Sequence, residues 1–402
     1  MALRHWLQLS LAPGIGSILS RRLIVATGSP ESACSASLNV LRTIDGIGRI
    51  KAEQIRSALQ HAAEEAAAEL DRASALGVSI LCPGDENYPV LLRSIPDPPN
   101  VLYMKGGLEP RDLNAVAIVG SRKCSHYGRE QAERFGALLG GAGVSVISGG
   151  ARGVDGAAHH GALSHPQGRT IAVLGCGIDV VYPAENAGLF ERIAERGAVL
   201  SEYALGTPPL SDNFPRRNRI VSGMSRGVLV IEADERSGAL ITARQACDDH
   251  GRPVFAMPGR VDNPLSAGPH QLLRDGAILA AKLEDILDNL GPLPQETLEP
   301  LLGRSAGHAG ANEQAAQSLF DRSSPPKTAG GDAVAVTAPV EIPGLSDRQR
   351  AILAALDADA TTVDSLIERT ALSAQAVLQD LTVLSLRGKV RRIDGQTYAR
   401  RG

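Results

Sequence analysis

Short, predominantly apolar runs, each ending at glycine or serine, recur through the middle of the chain. Val116-Ala117-Ile118-Val119 runs into Gly120-Ser121-Arg122. Val144-Ser145-Val146-Ile147 runs into Ser148-Gly149-Gly150-Ala151-Arg152-Gly153, and Ile171-Ala172-Val173-Leu174 into Gly175-Cys176-Gly177. Further strands are predicted over 78–81, 198–200, 228–231, 254–256 and 278–280. Helical patterns fall between them, over 129–139, 185–195, 239–249 and 283–290. Strands apolar on both faces that alternate with helices predict a doubly wound α/β domain built on a parallel sheet. In such sheets the loops at the carboxyl ends of the strands line the ligand crevice. Here those loops carry glycines, hydroxyls and arginines, a set that suits phosphate.

The flanks read differently. Residues 1–75 are predicted all-helical, with an internal echo: Pro13-Gly14-Ile15-Gly16 precedes one helix and Asp45-Gly46-Ile47-Gly48 another. Each Gly-Ile-Gly is either a hairpin whose helix start accepts a phosphate oxygen or a tight turn between packed helices. The sequence leaves both readings open. The segment 77–107 is broken by Pro83, Pro89, Pro96, Pro98 and Pro99 and reads as one strand plus an irregular lead-in. Residues 291–343 turn to Pro, Gly, Ala, Ser and Thr, the composition of a flexible linker, with one short helix over 313–320.

Residues 344–402 are compact again. Ile352, Leu353 and Leu356 mark the apolar face of a first helix, two more helices are predicted over 363–369 and 373–386, and a hairpin over 389–398 turns at Asp394-Gly395. That order resembles a winged helix. Its recognition helix, over 373–386, exposes Gln375, Gln379 and Asp380, while the wing is basic at Arg387, Lys389, Arg391 and Arg392. A duplex-reading helix would carry its own basic residues, so protein docking stands beside DNA reading as a role for this module. The expected organisation is therefore 1–75 helical, 76–290 α/β, 291–343 linker and 344–402 winged helix.

Composition narrows the partners. The formal net charge of the 402 residues is -3, so any nucleic-acid affinity must come from local positive charge. The five cysteines are scattered with no C-x-x-C pair, which argues against a metal site or a disulfide framework and for a reducing, cytoplasmic compartment. No run approaches the roughly 20 apolar residues of a membrane span, and the start lacks a signal-peptide core.

The first strand ends without G-x-G-x-x-G spacing, and G-x-x-x-x-G-K-[ST] is absent, which disfavours a dinucleotide and ATP hydrolysis. The most basic short run of the α/β region is Phe214-Pro215-Arg216-Arg217-Asn218-Arg219. Proline fixes the chain before it, and Ile220, Val221 and Met224 then predict a helix with arginines in its first turns. Cations there oppose the helix dipole, so a polyanionic partner explains them better than helix stability does. Phe214 offers a ring on which a base can stack, worth about 1–3 kcal/mol. The competing reading pairs Arg217 or Arg219 with Glu202, Glu232 or Asp234 and puts Phe214 in the core. Joined to Arg122 and Arg152, the run predicts a cationic groove for a phosphate backbone. Ser121, Ser148 and the N–H groups of Gly149 and Gly150 would hydrogen-bond phosphates in it.

Taken in order, these motifs resemble the DNA-processing protein A family, also called DprA or Smf. Added to those above are Val154-Asp155, Ala158-His159, Ser201-Glu202, Glu232-Ala233, Ser237-Gly238-Ala239-Leu240-Ile241-Thr242-Ala243, Pro258-Gly259, Gly268-Pro269-His270-Gln271-Leu272-Leu273 and Gly276-Ala277. The resemblance spans about 78–290. It implies an extended Rossmann-like domain that binds single-stranded DNA, protects strands entering during natural transformation and helps load a RecA-type recombinase onto them. It also implies single-strand-binding protein as a further contact and a homodimer. The matching DNA-binding positions are Gly120, Ser121, Arg122, Ser148, Gly149, Gly150, Arg152, Phe214, Arg216, Arg217, Asn218 and Arg219. No catalytic residue and no cofactor carries over.

The rival is a nucleoside monophosphate phosphoribohydrolase on a related fold, whose loop has the form P-G-G-x-G-T-x-x-E. The loop here, from Glu232 to Thr242, lacks the glycine pair and is followed by Gln245 where a carboxylate is wanted. Glu232 is then the remaining candidate for a general base.

Overall fold

The computed structural model describes residues 2–290, 347–356 and 361–370, together with 372, 377, 381, 384, 390–392 and 397–400. The chain divides into two compact units, Met1–Glu313 and Gln314–Gly402.

Five helices open the first unit: α1 (Ala2–Leu11), α2 (Ser17–Thr27), α3 (Pro30–Cys34), α4 (Leu38–Arg42) and α5 (Arg49–Ala75). The two Gly-Ile-Gly motifs are built alike. Gly14 and Gly46 take φ of 79° and 74°, a region open to glycine, and Gly16 and Gly48 cap α2 and α5. Ile15 and Ile47 between them are buried in the helical core with Leu9, Leu23, Leu41 and Leu59. Each motif is thus a tight turn that anchors an isoleucine and leaves the following helix start without a side-chain cap.

The sheet has nine strands: β1 (Ser79–Leu81), β2 (Leu102–Gly106), β3 (Ala115–Val119), β4 (Ser145–Ser148), β5 (Thr170–Leu174), β6 (Ala198–Ser201), β7 (Gly227–Val230), β8 (Val254–Ala256) and β9 (Ile278–Leu279). Their order is β1-β2-β6-β5-β4-β3-β7-β8-β9. The pairings from β6 across to β9 are parallel, and β1 with β2 and β2 with β6 are antiparallel. The helices of this part are α6 (Val90–Arg93), α7 (His126–Gly141), α8 (Val154–Ser164), α9 (Ala187–Arg196), α10 (Asn213–Gly223), α11 (Gly238–Arg244), α12 (Ala267–Arg274) and α13 (Leu283–Leu287).

Strand alternation divides the core. Ala115, Ala117 and Val119 of β3 pack with Ile220, Val221 and Met224 of α10 and Ala239 and Ala243 of α11. Val116 and Ile118 pack on the opposite face with Ala132, Phe135 and Leu139 of α7 and Val154, Ala157 and Ala158 of α8. A third cluster joins α1 and α5 to the sheet through Leu7, Ala66, Ala73, Tyr103, Ala172 and Leu174. The helical start and the sheet therefore share one core.

The structure departs from the sequence expectations at β2, at α8 and in the helix expected over 239–249. β2 stands where an irregular lead-in is expected. It is second in the sheet, between two antiparallel partners near the edge, and that position requires no long apolar run. α8 escapes a periodicity reading because nine of its residues are buried, from Val154 round to Leu163, so it has no polar face. Its Gly161 and the Gly136 of α7 let the two backbones approach to a distance that a Cβ would block. The helix expected over 239–249 is α11 followed by a π-helical turn, Gln245–Asp249.

In the second unit α14 (Asp347–Ala355) and α15 (Val363–Thr370) accompany a three-stranded sheet of β10 (Thr361–Thr362), β11 (Val390–Arg392) and β12 (Thr397–Arg400), in the order β10-β12-β11. Ile352, Leu353, Leu356, Leu366, Val377, Leu381, Leu384, Val390 and Tyr398 form its core. The linker 291–343 with its short helix, the Asp394-Gly395 turn, and Gln375, Gln379, Asp380, Arg387 and Lys389 lie outside the described residues. So do the side chains of Arg391 and Arg392.

Candidate nucleic-acid interface

Strand order reverses at β3: β4, β5 and β6 lie on one side of it and β7, β8 and β9 on the other. The loop leaving β3 at this switch point carries Gly120, Ser121 and Arg122. Ser121 is tied down on both sides. Its N–H donates to the Glu232 carbonyl at 2.6 Å, and its carbonyl accepts from the Val154 N–H at 3.2 Å. Gly120 is glycine because a Cβ there would meet Val154 Cγ2 at 2.6 Å and the Glu232 carbonyl at 2.8 Å. The loop is therefore rigid, and Arg122 projects from it exposed, with no carboxylate partner among the described residues.

Arg122 is placed by Phe214. Its guanidinium carbon lies 4.7 Å from the centroid of that ring, a cation–π contact. Phe214 comes from the first turn of α10 and packs on Gly175, where a Cβ would lie 2.8 Å from Cδ1 of the ring. Loops from β3 and β5 and the start of α10 thus meet at one point.

The neighbouring loop after β4 contributes mainly backbone. Neither Gly149 nor Gly150 donates its N–H to an acceptor among the described residues. Their carbonyls are engaged instead, Gly149 by Arg217 at 2.6 Å and Gly150 by Asn186 at 3.0 Å. Ser148 is fully buried and donates its hydroxyl to the Ile118 carbonyl at 2.6 Å, so the expectation that this hydroxyl faces a phosphate is corrected.

The basic run separates into distinct roles. Arg216 is exposed and lines a cavity of about 690 Å³ with Ser10, Ser17, Asn100 and Gln245. Asn218 donates to the Gly238 carbonyl at 3.2 Å. Arg217 is 4% exposed and donates to the carbonyls of Gly149 and Val173. Its Nε is buried without a partner, and the Asp155 carboxylate lies close by, beside Gly149. Burial lowers the Arg217 pKa and raises that of Asp155, each opposed by the charge of the other.

Arg219 is bound on two sides, to Asp97 at 2.8 Å and Glu202 at 2.6 Å. Arg152 is held by Glu185 across an exposed pair, its Nη2 at 2.9 Å from Oε2. A groove in which Arg152, Arg217 and Arg219 all present free guanidinium groups is therefore not what the fold builds. Carboxylates remote in sequence, or strand-end carbonyls, take them.

Residues unanticipated from the sequence complete the rim. Lys123 is exposed beside Arg122, which its adjacency alone could have signalled. Tyr182 sits with its ring centroid 5.7 Å from that of Phe214, at 46°. Its only sequence signal is its place in the loop after β5, ahead of Pro183.

Glu232, the candidate base, is 2% exposed, and its carboxylate accepts from the Ser125 N–H and Oγ–H at 2.7 Å each and from Asn263 Nδ2 at 3.2 Å. It holds the loop rather than facing the crevice. Among the described residues no three His, Cys, Asp or Glu side chains are grouped to hold a metal, and no helix is long and apolar enough to cross a membrane.

Comparison with known proteins places this geometry. Residues 79–291 match the family described as DNA recombination-mediator protein A, and residues 336–396 match the DprA winged helix domain. The chain is 34% identical to the Smf protein of Synechocystis sp. over 99% of its own length and 98% of that protein. It is 45% identical to the DNA processing protein DprA of Streptococcus pneumoniae over 50% of this chain and 71% of the relative. The X-ray structure of the Streptococcus pneumoniae protein superposes with a TM-score of 0.60 at 33% identity, covering 71% of this chain and 96% of that one.

Proposed function

Because the chain belongs to the DprA/Smf family of DNA recombination mediators, we propose that it binds single-stranded DNA along the crevice at the carboxyl ends of β3, β4 and β5. The observation that carries this reading is Arg122: an exposed guanidinium with no carboxylate partner among the described residues, stacked on Phe214 at a sheet switch point, near the amides of Gly149 and Gly150, which donate to no acceptor among those residues. Such a site offers a phosphate charge and hydrogen bonds without reading base edges, so affinity is led by the backbone.

Direct contact then belongs to Arg122, Arg216, Ser121 and the amides of Gly149 and Gly150. Arg217, Arg219, Asn218, Ser148 and Arg152 shape the wall. Arg217 grips two strand-end carbonyls, and Arg219 fixes α10 against Asp97 and Glu202. The engagement of Glu232 by three donors supports a binding role over phosphoribohydrolase chemistry.

The same reading extends to the whole protein. It is a cytoplasmic homodimer that shields strands taken up in transformation and passes them from single-strand-binding protein to a RecA-type recombinase. The unpaired cysteines support a reducing compartment. Its working parts are 1–75, 76–290, 291–343 and 344–402, the last holding the winged helix.

The test is binding of single- and double-stranded oligonucleotides across a salt series, for wild type and an Arg122→Ala/Arg216→Ala variant. Tighter binding of the single strand by wild type, with a flatter salt dependence in the variant, is the expected result. Equal affinities for the two strands, or an unchanged salt slope, would overturn it.

A further inference from the structure

The chain is poor in aromatic residues, at 3%, and the structure spends most of them inside. Tyr88, Tyr103, Phe135 and Phe255 are fully buried, and Phe190 nearly so. Of the less buried tyrosines of the sheet domain, Tyr127 and Tyr203 donate their hydroxyls to the Pro258 and Asn213 carbonyls, and Tyr182 does not. It is half-buried at the lip of the crevice, and its hydroxyl has no hydrogen-bond partner among the described residues.

Its loop is held. Val180 N–H donates to the Gly177 carbonyl at 2.9 Å, Asn186 N–H donates to the Pro183 carbonyl at 3.0 Å, and the Asn186 side chain reaches the Gly150 carbonyl at 3.0 Å. Glu185, three residues on, pairs with Arg152. The ring is therefore positioned against the loops after β4 and β5 and not left on a mobile tip.

Phe214 is only partly open as a stacking surface in this arrangement. Arg122 lies over its ring at 4.7 Å, and Gly175 abuts its Cδ1 and Cε1 atoms. A base stacking there would have to displace the guanidinium. Tyr182, tilted 46° to Phe214, continues the aromatic surface beyond the covered ring, and the exposed Val181 adjoins it.

Resting on the single-strand reading above, we infer that Tyr182 is the base-contacting ring of this crevice: an unpaired nucleobase, whose phosphate is held near Arg122, stacks on it. A π-face accepts any base, so the contact distinguishes unpaired from paired strands without reading sequence.

Strand binding by wild type, Tyr182→Leu and Tyr182→Phe tests this, using a normal single strand and one of equal length made wholly of abasic sugar phosphates. Tyr182→Leu is expected to weaken binding to the normal strand by about five- to a hundredfold. Tyr182→Phe keeps the ring and stays near wild type, and on the abasic strand all three proteins bind alike. Undiminished binding of the normal strand by Tyr182→Leu, or an equal loss on both strands, overturns the inference and leaves the proposed function standing. A wild type that binds neither strand overturns both.

Discussion

The Glu232 carboxylate accepts two hydrogen bonds from Ser125, from its backbone N–H and from its hydroxyl, at 2.7 Å each. The same hydroxyl accepts from the Gly128 N–H at 3.1 Å and so caps α7. A carboxylate at the end of β7 thereby fixes the first turn of the helix that follows the Arg122 loop. Gly128 has no room for a side chain, since a Cβ there would collide with the Glu232 carboxylate.

Glu232→Gln turns one acceptor into a donor that faces the donors of Ser125 and Asn263. The expected loss is about 1–3 kcal/mol, read as a lower urea midpoint at unchanged m-value. Single-strand affinity falls with it, because the loop that presents Arg122 loosens. The expected outcome for wild type incubated with nucleoside monophosphates is no release of free base above background. Release above background that disappears in Glu232→Gln would instead make this residue a general base.

Arg122→Ala and Arg219→Ala separate by mechanism. Arg122 is exposed and has no carboxylate partner among the described residues, so its loss should weaken binding to all sequences alike, flatten the salt slope by about 0.7–1 unit and leave the melting temperature unchanged. Arg219 is 8% exposed, and its removal strands Asp97 and Glu202. The fold should lose roughly 3 kcal/mol, with the salt slope retained in the protein that remains folded. Salt titration of binding and thermal melts on the two variants check this contrast.

His159 is expected to make the fold acid-labile. It is fully buried in α8, and its Nδ1 lies 2.6 Å from Thr170 Oγ1, whose own proton goes to the Val146 carbonyl. The Nδ1 therefore carries the proton, and Nε2 is left buried without a donor. Burial lowers the His159 pKa to about 3. The unfolded chain takes up this proton near pH 6.5 and the folded one does not, so stability falls as pH drops from about 6.5 toward 3, by up to about 1.4 kcal/mol per unit. His159→Gln should flatten that part of the stability–pH profile.

All the elements of the crevice belong to the first unit. Removing residues 345–402 should leave single-strand affinity within about twofold of wild type, measured by anisotropy on the same oligonucleotide. A larger drop would bring the winged helix into the DNA-binding account.

Some of this was readable from local order alone. Val116 to Val119, Val146 with Ile147, and Ile171 to Leu174 are buried on both faces of the sheet, so their apolar runs are continuous and announce parallel strands. The loops after them fall at the carboxyl edge by the same logic, which is how Arg122 and the glycine pair could be assigned to one rim. Other elements carry no local signature. α8 is buried all round, and β2 is set by its antiparallel neighbours. Whether an arginine is free depends on carboxylates brought from far along the chain. Asp97 and Glu202 claim Arg219, Glu185 claims Arg152, while no carboxylate among the described residues claims Arg122. The Tyr182–Phe214 contact likewise joins two loops that meet only in the folded chain. Sequence determined the parallel strands, because burial on two faces is written residue by residue. Only tertiary structure decided which charges and rings remain open, because pairing depends on distance in space.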